Sequence, residues 1–135
     1  MPATIQRAWQ QFSNHPDAHS LRAVTLCTEH PGKMWNVIEN SMTPLLQNSI
    51  NGVPWHSSQY SALPEVYVQD ASLEIAKASV INQFNSISGE IVVPFLSKNR
   101  EGFDINTEDD WVLAEHYVRQ NPNILPRVSV EPWRK

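Results

Sequence analysis

Apolar positions recur with helical spacing at the very start of the chain: Ile5, Ala8, Trp9 and Phe12 stand at i, i+3, i+4 and i+7. With Thr4 as the expected N-cap, this stripe predicts a short helix ending near Asn14. Nothing precedes the stripe for it to pack against, which gives the expectation of a chain that begins inside a larger architecture. Residues 21–27 switch to alternation, with Val24 and Leu26 on one side and Leu21, Ala23 and Cys27 on the other, the pattern of a strand. Pro31-Gly32 reads as a turn, and residues 34–38 as a second short strand. Residues 40–64 carry Thr43-Pro44, Asn51-Gly52, Val53-Pro54 and Ser57-Ser58, and are expected to be an irregular segment that is functional or carries an interface. Residues 64–68 look extended, and 72–81 fit strand or helix equally. Residues 91–96 read as a strand that Pro94 confines to an edge or bulge. Thr107-x-x-Asp110 resembles a capping box, and Trp111, Ala114, Glu115 and Val118 line one face of the helix it opens. Asn121-Pro122 ends that helix. Strands and helices mixed in this order predict an α/β sheet, incompletely represented.

Composition adds exclusions. With 135 residues, 41% hydrophobic and 18% charged, the chain is expected to form one soluble domain. The longest apolar runs fall far short of the ~20 residues that cross a bilayer. The first twenty residues hold no apolar leader, and Cys27 stands alone, so a cytoplasmic location without disulfides is expected. Ten basic residues against fourteen acidic ones give a net charge of −4, and the basic ones are scattered, which disfavours nucleic acid as a partner. The four glycines are Gly32, Gly52, Gly89 and Gly102. A phosphate-cradling loop needs two or three glycines within about eight residues. If this chain handles a nucleotide, something else grips the triphosphate.

Candidate chemistry concentrates where six of the fourteen acids lie, between Glu101 and Glu115. Asp104 and Asn106, two apart in an extended stretch, share a face and can present two oxygens to one hard cation. Equally, Asp104 caps a turn and the following acids favour the helix dipole. Asp104, Asn106, Glu108 and Glu115 mimic an EF-hand, but Asp109 stands where that loop needs glycine. The five histidines give no zinc spacing. Lys33, after a Pro-Gly turn, is placed to meet an anion or simply to be solvated. Residues 55–60, Trp-His-Ser-Ser-Gln-Tyr, suit a sugar, a subunit interface or a polar loop.

Five blocks in order resemble the acylneuraminate cytidylyltransferase family, whose members make CMP-activated sialic and related nonulosonic acids. They are Pro2-Ala3-Thr4-Ile5, Glu29-His30-Pro31-Gly32-Lys33-Met34-Trp35, residues 58–67 (SQYSALPEVY), residues 70–75 (DASLEI) and residues 102–111 (GFDINTEDDW). The resemblance covers residues 2–125 and implies the C-terminal half of a Rossmann-like nucleotide-diphospho-sugar transferase fold: a mixed sheet, flanking helices and a protruding dimerisation segment, with 126–135 as a tail. It implies a homodimer using Mg²⁺ that transfers CMP from CTP to a sugar acid, with pyrophosphate released. The half that grips CTP is absent, so the chain is expected to be inactive alone. By the same resemblance Asp104 is catalytic and, with Asn106, holds Mg²⁺. Lys33 is catalytic and meets anionic substrate groups, Gln59 and Tyr60 lie near the sugar pocket or dimer loop, and Asp70 falls where the family usually places a sugar-contacting asparagine. Asn106 replaces a frequent second aspartate, and Glu74 stands where sialic-acid-specific relatives tend to carry an aromatic, which points to a different sugar acid. The alternative is a non-catalytic dimerisation or regulatory module that keeps the fold.

Overall fold

A computed structural model of the chain describes residues 2–125, 128–131 and 133, so the expected tail over 126–135 lies partly outside the described residues. The elements in order are α1 (Pro2–Ser13), β1 (Ser20–Leu26), β2 (Trp35–Ile38), β3 (Ser41–Pro44), β4 (Ser49–Ile50), β5 (Val53–Pro54), β6 (Tyr67–Ala76), α2 (Ala78–Phe84), β7 (Val92–Leu96) and α3 (Glu108–Gln120). They fall into two compact units, Met1–Ala23 with Asp70–Lys135, and Val24–Gln69.

In the first unit the sheet has the order β6-β1-β7. The His19 and Ser20 N–H groups both donate to Ile91 O, so β1 and β7 start side by side and run parallel. Lys77 at the end of β6 donates to His19 O before the start of β1, so β6 runs antiparallel. The result is a small mixed sheet flanked by helices, in agreement with the α/β expectation. Ala8 and Phe12 of α1 pack with Ala18, Leu21, Ala23, Val93 and Phe95, and Leu73 and Ile75 of β6 close over them. The other half of the α1 stripe, Ile5 and Trp9, remains exposed. Ser20 and Arg22 are buried beside Leu21 and Ala23, so both faces of β1 are covered here. Each polar group has a partner, as burial demands: Ser20 Oγ donates to Ser88 O, and Arg22 reaches Ser88 Oγ and the Glu74 carboxylate.

Two sequence expectations change. Helix α1 begins at Pro2, which places Thr4 inside it rather than at its cap, and the Thr4 hydroxyl instead donates to Glu101 Oε1 at 2.5 Å. The ambiguous stretch 72–81 is both things in succession, β6 to Ala76 and then α2. Pro94 stands on an edge strand as expected.

The second unit is less irregular than its composition suggested. Strands β2 and β3 pair antiparallel from Trp35↔Pro44 to Ile38↔Ser41. Strands β4 and β5 form a minimal hairpin whose turn residues, Asn51 and Gly52, have φ of 51° and 79°. Positive φ at both central positions is what a type I′ turn requires, and Asn-Gly is its preferred sequence.

Helix α3 has no buried residue, and Trp111, Val112 and Leu113 on it are all exposed. Among the described residues, no helix is long and apolar enough to cross a membrane.

Candidate functional site

The loop from Gly102 to Thr107 delivers the acidic segment to α3, and its ends are fixed by local bonds. Thr107 Oγ1 accepts from the Asp110 N–H, while the Asp110 carboxylate accepts from the Thr107 N–H, so the capping box is complete with Asp in the usual Glu place. Asp110 also accepts from the Asn106 N–H. The Thr107 hydroxyl and these two N–H groups hold its carboxyl below the ordinary aspartate range. Because the helix begins at Glu108, the EF-hand register has no loop in which to curl.

Asp104 and Asn106 are brought together. Asn106 Nδ2 donates to Asp104 Oδ2 at 3.0 Å, and the Ile105 N–H donates to Asp104 Oδ1 at 2.9 Å. Both side chains are exposed. The pair offers one carboxylate and one amide oxygen. Among the described residues no group of three or more His, Cys, Asp or Glu could enclose a metal. In this arrangement the Asn106 amide N–H, not its oxygen, faces the Asp104 carboxylate, and both carboxylate oxygens accept hydrogen bonds from within the loop.

Asp70 lies against the start of the same loop. A Cβ on Gly102, two residues before Asp104, would collide with the Asp70 carboxylate, so this close approach requires glycine. Asp70 accepts from Ser97 Oγ at 2.5 Å and from both the N–H and the hydroxyl of Ser72. Burial pushes its pKa up, but these hydrogen bonds outweigh burial and the nearby Glu101 charge and lower it. It is an anion held by hydroxyls. Glu101 beside it is more strongly held. Burial would raise its pKa, yet the Thr4 hydroxyl, the Lys98 N–H and the Arg7 guanidinium bring it down to about 2.

In the second unit the structure groups Lys33 with Tyr60. Lys33 ends a short 3₁₀ turn over Pro31–Lys33, which His30 builds. Buried His30 accepts the Gly32 N–H on Nδ1, so Nε2 carries the proton and donates to Pro64 O at 3.0 Å. Lys33 Nζ donates to His56 O at 3.0 Å and to Ser58 O, and lies 5.7 Å from the Tyr60 ring centre. Tyr60 Oη reaches Glu29 at 3.4 Å, and Gln59 is exposed beside it. Trp55 Nε1 is buried without a hydrogen-bond partner among the described residues.

The sequence-predicted residues thus form two groups, Lys33, Gln59 and Tyr60 in one unit and Asp70, Asp104 and Asn106 in the other. Sequence reasoning missed Thr4, Arg7, Ser97 and Glu101. Their roles depend on partners ninety or so positions away for three of them and 27 for Ser97, and no local pattern signals such pairs. Compared with protein-family models and with curated proteins, the chain matches none.

Proposed function

We propose that the chain is the sugar-facing, cation-holding half of a cytidylyltransferase of Rossmann-like fold, which transfers CMP from CTP to a nonulosonic sugar acid. The observation that carries this reading is the Asp104–Asn106 pair on the loop feeding α3, within the block 102–111 that resembles the family. One further observation supports it: the glycine spacing denies the chain a triphosphate loop of its own.

In the proposed reaction the sugar's anomeric hydroxyl oxygen bonds to the α-phosphorus of CTP and loses its proton. The α–β phosphoanhydride bond breaks, and pyrophosphate leaves with the electron pair. Positioning and neutralisation of charge dominate such steps. Asp104, with Asn106 Oδ1, would hold Mg²⁺, which supplies that neutralisation. Asn106 is neutral, so the cation depends more on substrate oxygens. Lys33 has three N–H donors and spends two on carbonyls, which leaves one for an anionic group. Gln59 and Tyr60 flank it on the sugar or dimer side. Asp70 is charged and would repel an acidic sugar unless the complete enzyme brings a cation to it. Glu74, standing where sialic-acid-specific relatives tend to carry an aromatic, favours a sugar acid other than sialic acid itself. The assembly is a cytoplasmic homodimer of complete enzymes in this reading.

A second reading, a non-catalytic dimerisation or regulatory module, is favoured by one observation: Val37, Ile38 and Met42 of the β2–β3 hairpin are 69%, 74% and 54% exposed. A dimer that binds neither Mg²⁺ nor CTP would support it.

Mn²⁺ standing in for Mg²⁺ tests the site. With CTP and a separately produced N-terminal half of a family enzyme, amide signals of residues 104–106 should broaden, and Asp104→Asn should abolish the effect. Sharp signals in a complex that turns over CTP would contradict the assignment.

A further inference from the structure

We propose that Asn51 is a site of spontaneous covalent modification: the backbone nitrogen of Gly52 attacks its side-chain amide, and the isoaspartate that results loosens the turn that seats Lys33. This chemistry needs neither nucleotide nor sugar acid.

Of the eleven asparagines in the chain only Asn51 precedes a glycine, whereas Asn40, Asn48 and Asn85 precede serine. A glycine has no side chain to shield its nitrogen. The surrounding space is open as well, since a Cβ on Gly52 would meet no heavy atom within 4 Å beyond its chain neighbours. Both residues are exposed at the tip of the β4–β5 hairpin. Neither the Asn51 amide nor the Gly52 N–H has a hydrogen-bond partner among the described residues. Attack requires Asn51 to swing out of its left-handed turn conformation, where φ is 51°. The hairpin resists this little. It holds two residue pairs, Ser49↔Pro54 and Ile50↔Val53, and short two-stranded ribbons open at low cost in water.

Water is the one co-reactant. The Gly52 nitrogen loses its proton to solvent base, bonds to Asn51 Cγ and closes a five-membered succinimide ring. The Cγ–Nδ2 bond breaks, and Nδ2 takes up a proton and leaves as ammonia. Water then adds to either ring carbonyl. Addition at Cγ breaks its bond to the Gly52 nitrogen and gives an ordinary peptide with aspartate. Addition at the backbone carbonyl carbon leaves the chain running through Cγ, an isoaspartate. Either product adds one negative charge to the formal −4 of the chain.

The two products differ in what they do to the fold. Asp-Gly suits a type I′ turn much as Asn-Gly does. Isoaspartate adds a methylene to the backbone of a two-residue turn, so Ile50 and Val53 lose their register. From there a chain of bonds leads to Lys33. The Trp55 N–H donates to Asn48 O at 3.0 Å across the base of the hairpin. Pro54 O, at the end of β5, accepts the Ser58 N–H and the Ser58 hydroxyl, both at 3.1 Å. Ser58 O in turn accepts from Lys33 Nζ. Displacing Pro54 therefore displaces a carbonyl that positions the ammonium.

The test incubates the full chain at pH 6 and pH 8.5, native and in urea. Each asparagine is followed by peptide mapping, with an isoaspartyl carboxyl methyltransferase as the probe for isoaspartate. In the native chain Asn51 should convert at least tenfold faster than Asn40, Asn48 or Asn85. The rate should rise with pH, because the attacking nitrogen must lose a proton. Gly52→Ala should slow conversion at least tenfold, and if that variant loses the hairpin, Asn51 against Asn48 in the unaltered chain decides. Conversion in urea only, or equal native rates at Asn51 and Asn48, would overturn the site. The aged fraction, separated by its extra charge, should show at least fivefold faster amide exchange at residues 56–58, whereas Asn51→Asp should leave that exchange unchanged. Isoaspartate at position 51 with no change at 56–58 would overturn the coupling to Lys33.

Discussion

Arg7 on α1 and Glu101 after β7 are 94 positions apart in sequence and form an ion pair that ties the two segments together. The Glu101 side chain is 24% exposed, and its pKa falls from 4.5 to about 2. A depressed carboxylate pKa stabilises the fold above its unfolded value, and that contribution fades as pH drops from 4.5 toward 2. Glu101→Gln should therefore cost on the order of 2 kcal/mol at pH 7, after discounting for water access. Urea unfolding at pH 7, 4 and 3 checks this. The gap between the parent and the variant should narrow with acid, and a gap that does not change with pH would contradict the account.

Gly102→Ala places a methyl group where the Asp70 carboxylate lies. A loss of about 1–3 kcal/mol is expected from the displaced carboxylate and its broken bonds to Ser97 and Ser72. Asp70→Ser should be less damaging, and combining the two changes should restore part of the loss. Simple additivity in that double-mutant cycle would show that the two residues do not touch.

Thr107→Ala removes half of the capping box on a helix that buries none of its residues. With little tertiary packing to compensate, about 1 kcal/mol is expected. The loss should appear as faster amide exchange through residues 108–112 and lower helical circular dichroism, with β1 and β7 unaffected.

How legible these features were follows from the range over which each is determined. Helix α3 and its cap were readable because Thr107, Asp110 and Asn121 act within a few residues of one another. The edge position of β7 was readable because Pro94 lacks an N–H whatever surrounds it. The pairs β2–β3 and β4–β5 were hidden because strands of two to four residues leave too few alternations to see. Thr4 misled because its hydroxyl, a good cap in isolation, found a tertiary acceptor in Glu101. Asp104 and Asn106 were legible as neighbours, whereas the contact of Asp70 with Gly102 depends on where β6 lies beside β1.

Lys33→Met keeps the aliphatic stem and removes the ammonium that holds the His56 and Ser58 carbonyls. Amide exchange over residues 56–62 should accelerate roughly five- to tenfold, about 1 kcal/mol of local opening, while residues 93–95 stay protected. Unchanged exchange at 56–62 would mean that the lysine does not organise this turn.

CMP-sugar formation from CTP, Mg²⁺ and a panel of nonulosonic acids tests the central claim most directly. The chain alone should make none, its mixture with the N-terminal half of a family enzyme should make it, and Asp104→Asn should reduce that rate at least a hundredfold. Product from the chain alone, or an active mixture indifferent to Asp104, would contradict the account.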